Sequence, residues 1–417
     1  MARNDNGVPM YITILCKVVD NFGDIGVAWR LCRRLAKIQS KYKICLVVDD
    51  LEAFAKIEDG LSRSLSAKYP GIARNEATKQ SIIIDGIEIF PWKYDALCHE
   101  IFSQNDGERL SLILELFQCG RPDWMERILF EEKLQRTVQI IMIDYLTAEK
   151  YAEDFHCLQS LTRSAKVQKV NFMPGFTEKT GGLVIDDAWI NVPEWNNDGP
   201  VLVFTYENDW TNLAVALSDY CADSGRKVLV AQGRGKESFL QALKQVVALR
   251  QAQEPLHETT IIEELSYLNQ SEWDEMMKGC SALVIRGEES MSRACLSGIP
   301  FIWHAYPQSD EYQLVKVRAL LERMRPHFGE EEFEIVSNAW LEINGETWIA
   351  SPSACNDEEH EPSSSLRGAQ RRGNPYSDFF KSVPRLIPGF RDFALSLRKN
   401  GDLCANLMTY IEKLDII

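Results

Sequence analysis

The sequence predicts an α/β protein of two doubly wound units facing a common cleft, and three observations carry that prediction. The chain has 417 residues, more than one core holds, since single cores stop growing at roughly 250–300 residues. Short, nearly continuous apolar runs alternate with helical periodicity in each half, the pattern of parallel sheets covered on both faces. A polar stretch, PEWNNDGP at 193–200, interrupts that rhythm midway and marks a boundary.

In the first half, strands read at 11–19, 43–49, 81–90, 111–117 and 138–143, with helical patterns between several of them, notably at 26–38 and 51–57. The second half restarts with strands at 201–206, 227–231, 259–262, 281–285 and 300–305. Its helices read at 210–221, 236–250, 271–279, 289–297 and 310–324. No sequence repeat relates the halves; the likeness is architectural. Residues 350–378 are rich in Ser, Pro, Gly and charge without apolar periodicity, and they read as a flexible surface insertion. Over 389–413 a helical pattern returns (Phe393, Leu395, Leu397, Leu403, Leu407, Ile411), broken at Asn400-Gly401 and suited to packing back across either unit. The expected divisions are 1–192, 193–388 and a C-terminal helical segment, 389–417.

Composition narrows the function. Apolar residues make up 45% and charged residues 26%, and the net charge of −15 argues against a nucleic-acid binder, which carries a basic footprint. An acidic protein suits a cationic partner. The 11 cysteines lack CxxC or metal spacing and several lie in apolar runs, as buried thiols do in a reducing compartment. No apolar run approaches the ~20 residues that span a bilayer, and the N-terminus lacks the apolar core of a signal peptide. The expected location is the cytoplasm, with no membrane partner.

The most informative stretch is VVDNFGDIGVAWRL at 18–31. An apolar strand ends at Asp20-Asn21-Phe22-Gly23-Asp24 and a helix follows, which puts two carboxylates in a turn at the carboxyl edge of the sheet, where ligands of such sheets bind. Those carboxylates would repel a pyrophosphate, so the turn suits a cationic or hydroxyl-rich partner. Asp24 also fits a plain N-cap and Asp20 a plain turn former. A second constellation, RGEESMSRACLSG at 286–298, opens another helix. The exposed N–H groups of its first turn form an anion site, Arg286 neutralises phosphate, and Ser290 adds a hydroxyl. Glu288 and Glu289 fit sugar hydroxyls or, more plainly, complement the helix dipole. Tyr206 stands at a strand end, and Tyr267 with Gln270 supplies an aromatic platform and an amide for a base edge; aromatics of this kind are also common in cores.

With these motifs in hand, the chain resembles the bacterial protein-arginine rhamnosyltransferases of elongation factor P, the EarP family. The likeness spans nearly the whole chain apart from 350–378. It rests on VVDNFGDIGVAWRLCRRLA at 18–36, IDYLTAE at 143–149, FHCLQS at 155–160, PGFTEKTGGL at 174–183, FTYE at 204–207 and RGEESMSRACLSGIPFIWHAYPQ at 286–308. The resemblance implies a GT-B fold of two Rossmann-like doubly wound domains. The N-terminal domain would receive elongation factor P and the C-terminal one would hold dTDP-β-L-rhamnose. It implies catalytic carboxylates at Asp20, Asp24 and Glu288. The nucleotide sugar would lie against Phe204, Tyr206, Tyr267 and Gln270 around the base, with Arg286, Glu289 and Ser290 near ribose and diphosphate. Asn21, Phe22 and Gly23 of the first turn count among the donor-binding residues. The family pattern has Phe where Tyr267 stands and Asp where Glu289 stands.

The implied reaction is an inverting single displacement. A guanidine nitrogen attacks the anomeric carbon, dTDP leaves, and no metal or other cofactor is expected. Proton transfer from a guanidinium near pKa 13 to a carboxylate near 4 is uphill by roughly 12 kcal/mol. Asp20 is therefore expected to orient the guanidinium and take its proton late, as the C–N bond forms, with Asp24 holding the geometry. The alternatives are another GT-B transferase or a sugar-nucleotide epimerase with a small-molecule acceptor, and an inactive binding protein for the factor. A dehydrogenase would use Asp49 or Asp50 at the end of the second strand, but 18–31 lacks GxGxxG.

Overall fold

A computed structural model describes residues 10–19, 23–58, 82–132, 134–253, 262–346 and 373–414. The first half folds around an eight-stranded sheet. Its central strands are β1 (Met10–Cys16), β2 (Tyr42–Val48), β5 (Leu112–Leu116) and β6 (Val138–Ile143). With β3 (Ile82–Ile84), β4 (Ile87–Pro91), β7 (Gln159–Ser160) and β8 (Val167–Asn171), the spatial order is β3-β4-β2-β1-β5-β6-β8-β7. The strands run parallel except at the two edges, where β3 pairs antiparallel with β4 and β7 with β8. β1 is buried after its first residue, as its unbroken apolar run requires.

The second half builds a five-stranded, fully parallel sheet from β9 (Val201–Val203), β10 (Val228–Val230), β11 (Ile262–Glu264), β12 (Ala282–Arg286) and β13 (Phe301–His304), in the order β11-β10-β9-β12-β13. Both sheets reverse their winding direction once near the middle, between β1 and β5 in the first and between β9 and β12 in the second. Ligands of open α/β sheets bind outside the strand ends at such points. The residues after β1, β9 and β12 are the ones the sequence singled out.

Several elements differ from expectation. The strand read at 81–90 is a hairpin, because Asp85 and Gly86 both take positive φ (52° and 77°) and turn the chain back on itself. The part of the expected strand 259–262 that precedes Ile262 lies outside the described residues. Of the insertion expected at 350–378, residues 350–372 also lie outside them. Its end is helical, since a single helix spans Pro375–Lys399. The division placed between 388 and 389 therefore falls inside one element. Pro384 and Pro388 sit within this helix and interrupt its propensity signal, yet Phe379, Val383, Leu386, Phe390, Phe393 and Leu397 still form one buried stripe. That stripe packs into the core of the second unit.

After Asn400-Gly401 the final helix, Leu403–Lys413, packs on the first unit, burying Leu403, Cys404, Leu407, Met408 and Ile411 in its core. The crossing segment lies against the earlier link between the units. Leu403 N donates to the Leu183 carbonyl at 2.8 Å, and Asp402 Oδ1 accepts from Ile185 N at 2.9 Å. Gly182, at φ 84°, makes this approach possible, because a Cβ there would stand 2.8 Å from the Gly401 carbonyl oxygen. No described helix is long and apolar enough to cross a membrane.

Candidate active site in the cleft

The helix Gly23–Ile38 begins where β1's loop ends, and its first turn brings Asp24 into the cleft. Asp24 is buried, and Oδ2 accepts the Val19 backbone N–H at 2.8 Å. The carboxylate thus ties the strand-end loop to the helix from one residue inside it, rather than capping its end. The Tyr145 hydroxyl also donates to Asp24, and burial together with the negative charges of Asp24 and Glu288 pushes the Tyr145 phenol up. Asp20, Asn21 and Phe22 lie outside the described residues. The two acids that a dehydrogenase would use are occupied locally. Asp49 accepts from Val18 N at 2.8 Å, and Asp50 caps the helix Leu51–Ile57 through Glu52 N and Ala53 N.

On the opposite wall, β12 ends at Arg286 and Gly287 leads into the helix Glu288–Ser297. Gly287 has φ 73° and ψ 164°, a conformation open essentially to glycine alone, and no side chain caps the helix. The first-turn N–H groups therefore face the cleft without an intrahelical acceptor. Arg286 is held between two rings, its guanidinium carbon 4.5 Å from the centre of Phe204 and 4.4 Å from that of Tyr206. Gly233 allows this fit, since a Cβ there would meet Phe204 at 3.0 Å and Arg286 at 3.1 Å. His304 Nδ1 accepts the Tyr206 N–H at 3.3 Å, and burial beside Arg286 lowers the imidazole to about 4, so it stays neutral.

These walls border a cleft with about 990 Å³ of empty space, part of it open to solvent. Of the residues expected at the donor, Gly23, Phe204, Tyr206, Tyr267, Gln270, Arg286, Glu289 and Ser290 all line this space, and Glu288 does too. A second chamber adjoins it, sharing Gly23 and Gly287 in its lining and bordered also by Asp24, Glu288, Phe117, Tyr145, Tyr306 and Lys316 among others. Asp24 and Glu288, predicted from segments 264 residues apart in sequence, therefore share one chamber wall to wall. Burial pushes the Glu288 carboxyl up to about 7, against the pull of Lys316 and with a further push from Asp24 and Asp144. Lys316 Nζ is 3.7 Å from Glu288 Oε1.

Two expected donor contacts carry other bonds as well. Gln270 Nε2 donates across the cleft to the Gly26 carbonyl at 3.0 Å. Glu289 Oε1 accepts from Arg30 Nε at 2.6 Å. Sequence reasoning missed Arg30, Tyr145 and Lys316. Tyr145 sits in the quoted motif IDYLTAE, and Arg30 interrupts the apolar face of its helix; Lys316 gave no local signal.

Two doubly wound units that set such a cleft at both of their winding reversals have the GT-B architecture. The chain belongs to the EarP family: the family model for Elongation-Factor P (EF-P) rhamnosyltransferase EarP matches residues 12–412. It is similar to the protein-arginine rhamnosyltransferase of Shewanella oneidensis, 28% identical over 359 residues, covering 79% of this chain and 84% of that protein. The corresponding protein of Pseudomonas aeruginosa is 27% identical over 359 residues, covering 79% and 86%. Among solved structures, one that describes EarP-mediated arginine glycosylation of translation elongation factor EF-P has the same fold. Its TM-score is 0.51 at 18% identity, over 96% of this chain and 98% of that one.

Proposed function

We propose that the protein transfers L-rhamnose from dTDP-β-L-rhamnose to an arginine side chain of elongation factor P, in the cytoplasm. One observation carries the reading: a cleft with a cationic and aromatic wall shares Gly23, Gly287 and Glu288 with a neighbouring chamber lined by the carboxylates Asp24 and Glu288. The first space suits a nucleoside diphosphate and the second a guanidinium next to it. Family membership and the similarity to named protein-arginine rhamnosyltransferases support the same assignment.

In the proposed reaction a guanidine nitrogen attacks the anomeric carbon while the bond from that carbon to the diphosphate oxygen breaks. The electron pair leaves with dTDP, and the nitrogen's extra proton passes to a carboxylate, Asp20 in our assignment, as the new bond makes that nitrogen acidic. Asp24 and Glu288 stabilise the positive charge that develops at the sugar. Arg286 and the first turn of the helix Glu288–Ser297 receive the charge on the departing diphosphate, so the proposal requires no metal ion. The test is intact-mass spectrometry of elongation factor P incubated with this protein and dTDP-rhamnose. A gain of one deoxyhexose on one arginine supports the proposal. An unmodified factor, with dTDP released to a small-molecule acceptor instead, overturns it.

A further inference from the structure

We propose that Arg30 is a positioning residue for sugar transfer, setting the register between the helix that carries Asp24 and the helix that carries Glu288. The inference rests on the transfer reading above: Arg30 lines the donor cavity, but its guanidinium is taken up by protein carboxylates. Arg30 lies six positions after Asp24 on the same helix and is buried to 3% exposure. Its guanidinium is shared among three carboxylates from three separate segments. Nε donates to Glu289 Oε1 at 2.6 Å, immediately beside Glu288. Nη1 and Nη2 grip Asp274 as a fork at 2.8 and 3.0 Å, on the helix Gln270–Lys278. Nη1 also pairs with Asp186, in the link between the two sheets.

One planar cation therefore joins the first unit to the link and to two helices of the second unit. Both helices that present a carboxylate to the inner chamber are anchored at this knot, Asp24's through Arg30 itself and Glu288's through the neighbouring Glu289. The Gln270 to Gly26 bond closes the same face one turn earlier. With its fork taken up by protein carboxylates, Arg30 acts through them. Lysine keeps the charge but presents a point donor where the site is built for a planar fork. A shift of about 1 Å between attacking and departing groups is enough to slow a displacement by about a hundredfold.

The test uses the full chain with elongation factor P and dTDP-rhamnose, reading kcat as dTDP release and dTDP affinity by calorimetry. Arg30→Lys is expected to lower kcat at least about tenfold while the dTDP Kd stays within about threefold. Asp274→Asn removes a partner remote from the inner chamber. It should give the same split with a smaller loss of kcat, and it decides the question if Arg30→Lys does not fold. A lower melting temperature with kcat per dTDP-binding site unchanged overturns the proposal, since Arg30 would then be structural only. Parallel losses of dTDP affinity and kcat overturn it as well, by making Arg30 part of the donor site. Modification of the factor by the wild-type chain, followed by mass in the same reactions, judges the transfer reading separately.

Discussion

Near neutral pH the charge on Glu288 depends on its surroundings, because burial has brought its carboxyl up to about 7 while Lys316 pulls the other way. If transfer uses the ionised form, kcat falls as pH drops through 7. Lys316→Met, which removes the opposing pull, should move that acid limb to higher pH; a limb that stays in place would show that another group controls it. The same shift has a sign for stability. The folded protein holds a proton on Glu288 where the unfolded chain has lost it, so this contribution is complete below the usual carboxylate range and disappears as pH rises through 7. Glu288→Gln should therefore raise the melting temperature relative to wild type above pH 7 and leave it nearly unchanged in acid. For Asp20 the expectation comes from sequence: Asp20→Asn should abolish transfer with dTDP affinity held within a few-fold, and poor donor binding with normal turnover at saturation would move it to the donor side. Arg286→Ala removes a charge-assisted contact and should weaken dTDP binding roughly ten- to a hundredfold by calorimetry. The predicted residues that line the cleft were legible because each sits where an apolar strand gives way to a helix. Arg30, Tyr145 and Lys316 escaped because their meaning lies in partners far along the chain, and no local pattern marks those.

At the scale of elements, the helix Glu288–Ser297 depends on Gly287 for its approach. A side chain at φ 73°, ψ 164° strains the backbone by about 1–3 kcal/mol, although a Cβ there would meet nothing within 4 Å. Gly287→Ala should consequently displace the helix terminus and weaken dTDP binding about tenfold with little loss of overall fold. Unchanged calorimetric affinity would mean the helix start does not touch the diphosphate. The central strands of both sheets were readable from continuous apolar runs, since burial on both faces leaves no other composition. The hairpin at 82–91 and the helix Pro375–Lys399 were not. In the first, two residues of positive φ split one apolar run. In the second, prolines masked a stripe that tertiary packing sustains. The motif PGFTEKTGGL likewise stood out in sequence without a stated role. The structure gives its glycines one, as Gly181 leaves no room for a Cβ between Phe172 and Leu403.

For the whole molecule, the sequence predicts that the segment 356–373 tolerates replacement. Its composition cannot bury enough apolar surface to offset the entropy of ordering, and a Gly/Ser substitute that stops short of Asn374 spares the side chain that caps the following helix. We expect an unchanged melting temperature and acceptor KM. A raised KM alone would assign Arg367, Arg371 or Arg372 to acceptor docking, and a large fall in melting temperature would make the segment part of the fold.

The return of the final helix to the first unit has a mechanical consequence. The chain passes between the units twice, and the two passages run side by side, stitched where Leu403 meets Leu183 and Asp402 meets Ile185. Two adjacent pins define one hinge axis, so opening of the cleft about it must break the Arg30 and Gln270 bonds that span it, while twisting or sliding would shear the seam as well. A single cut in the exposed stretch around Asn196 and Asn197 should then leave the two fragments bound to each other through their shared spine.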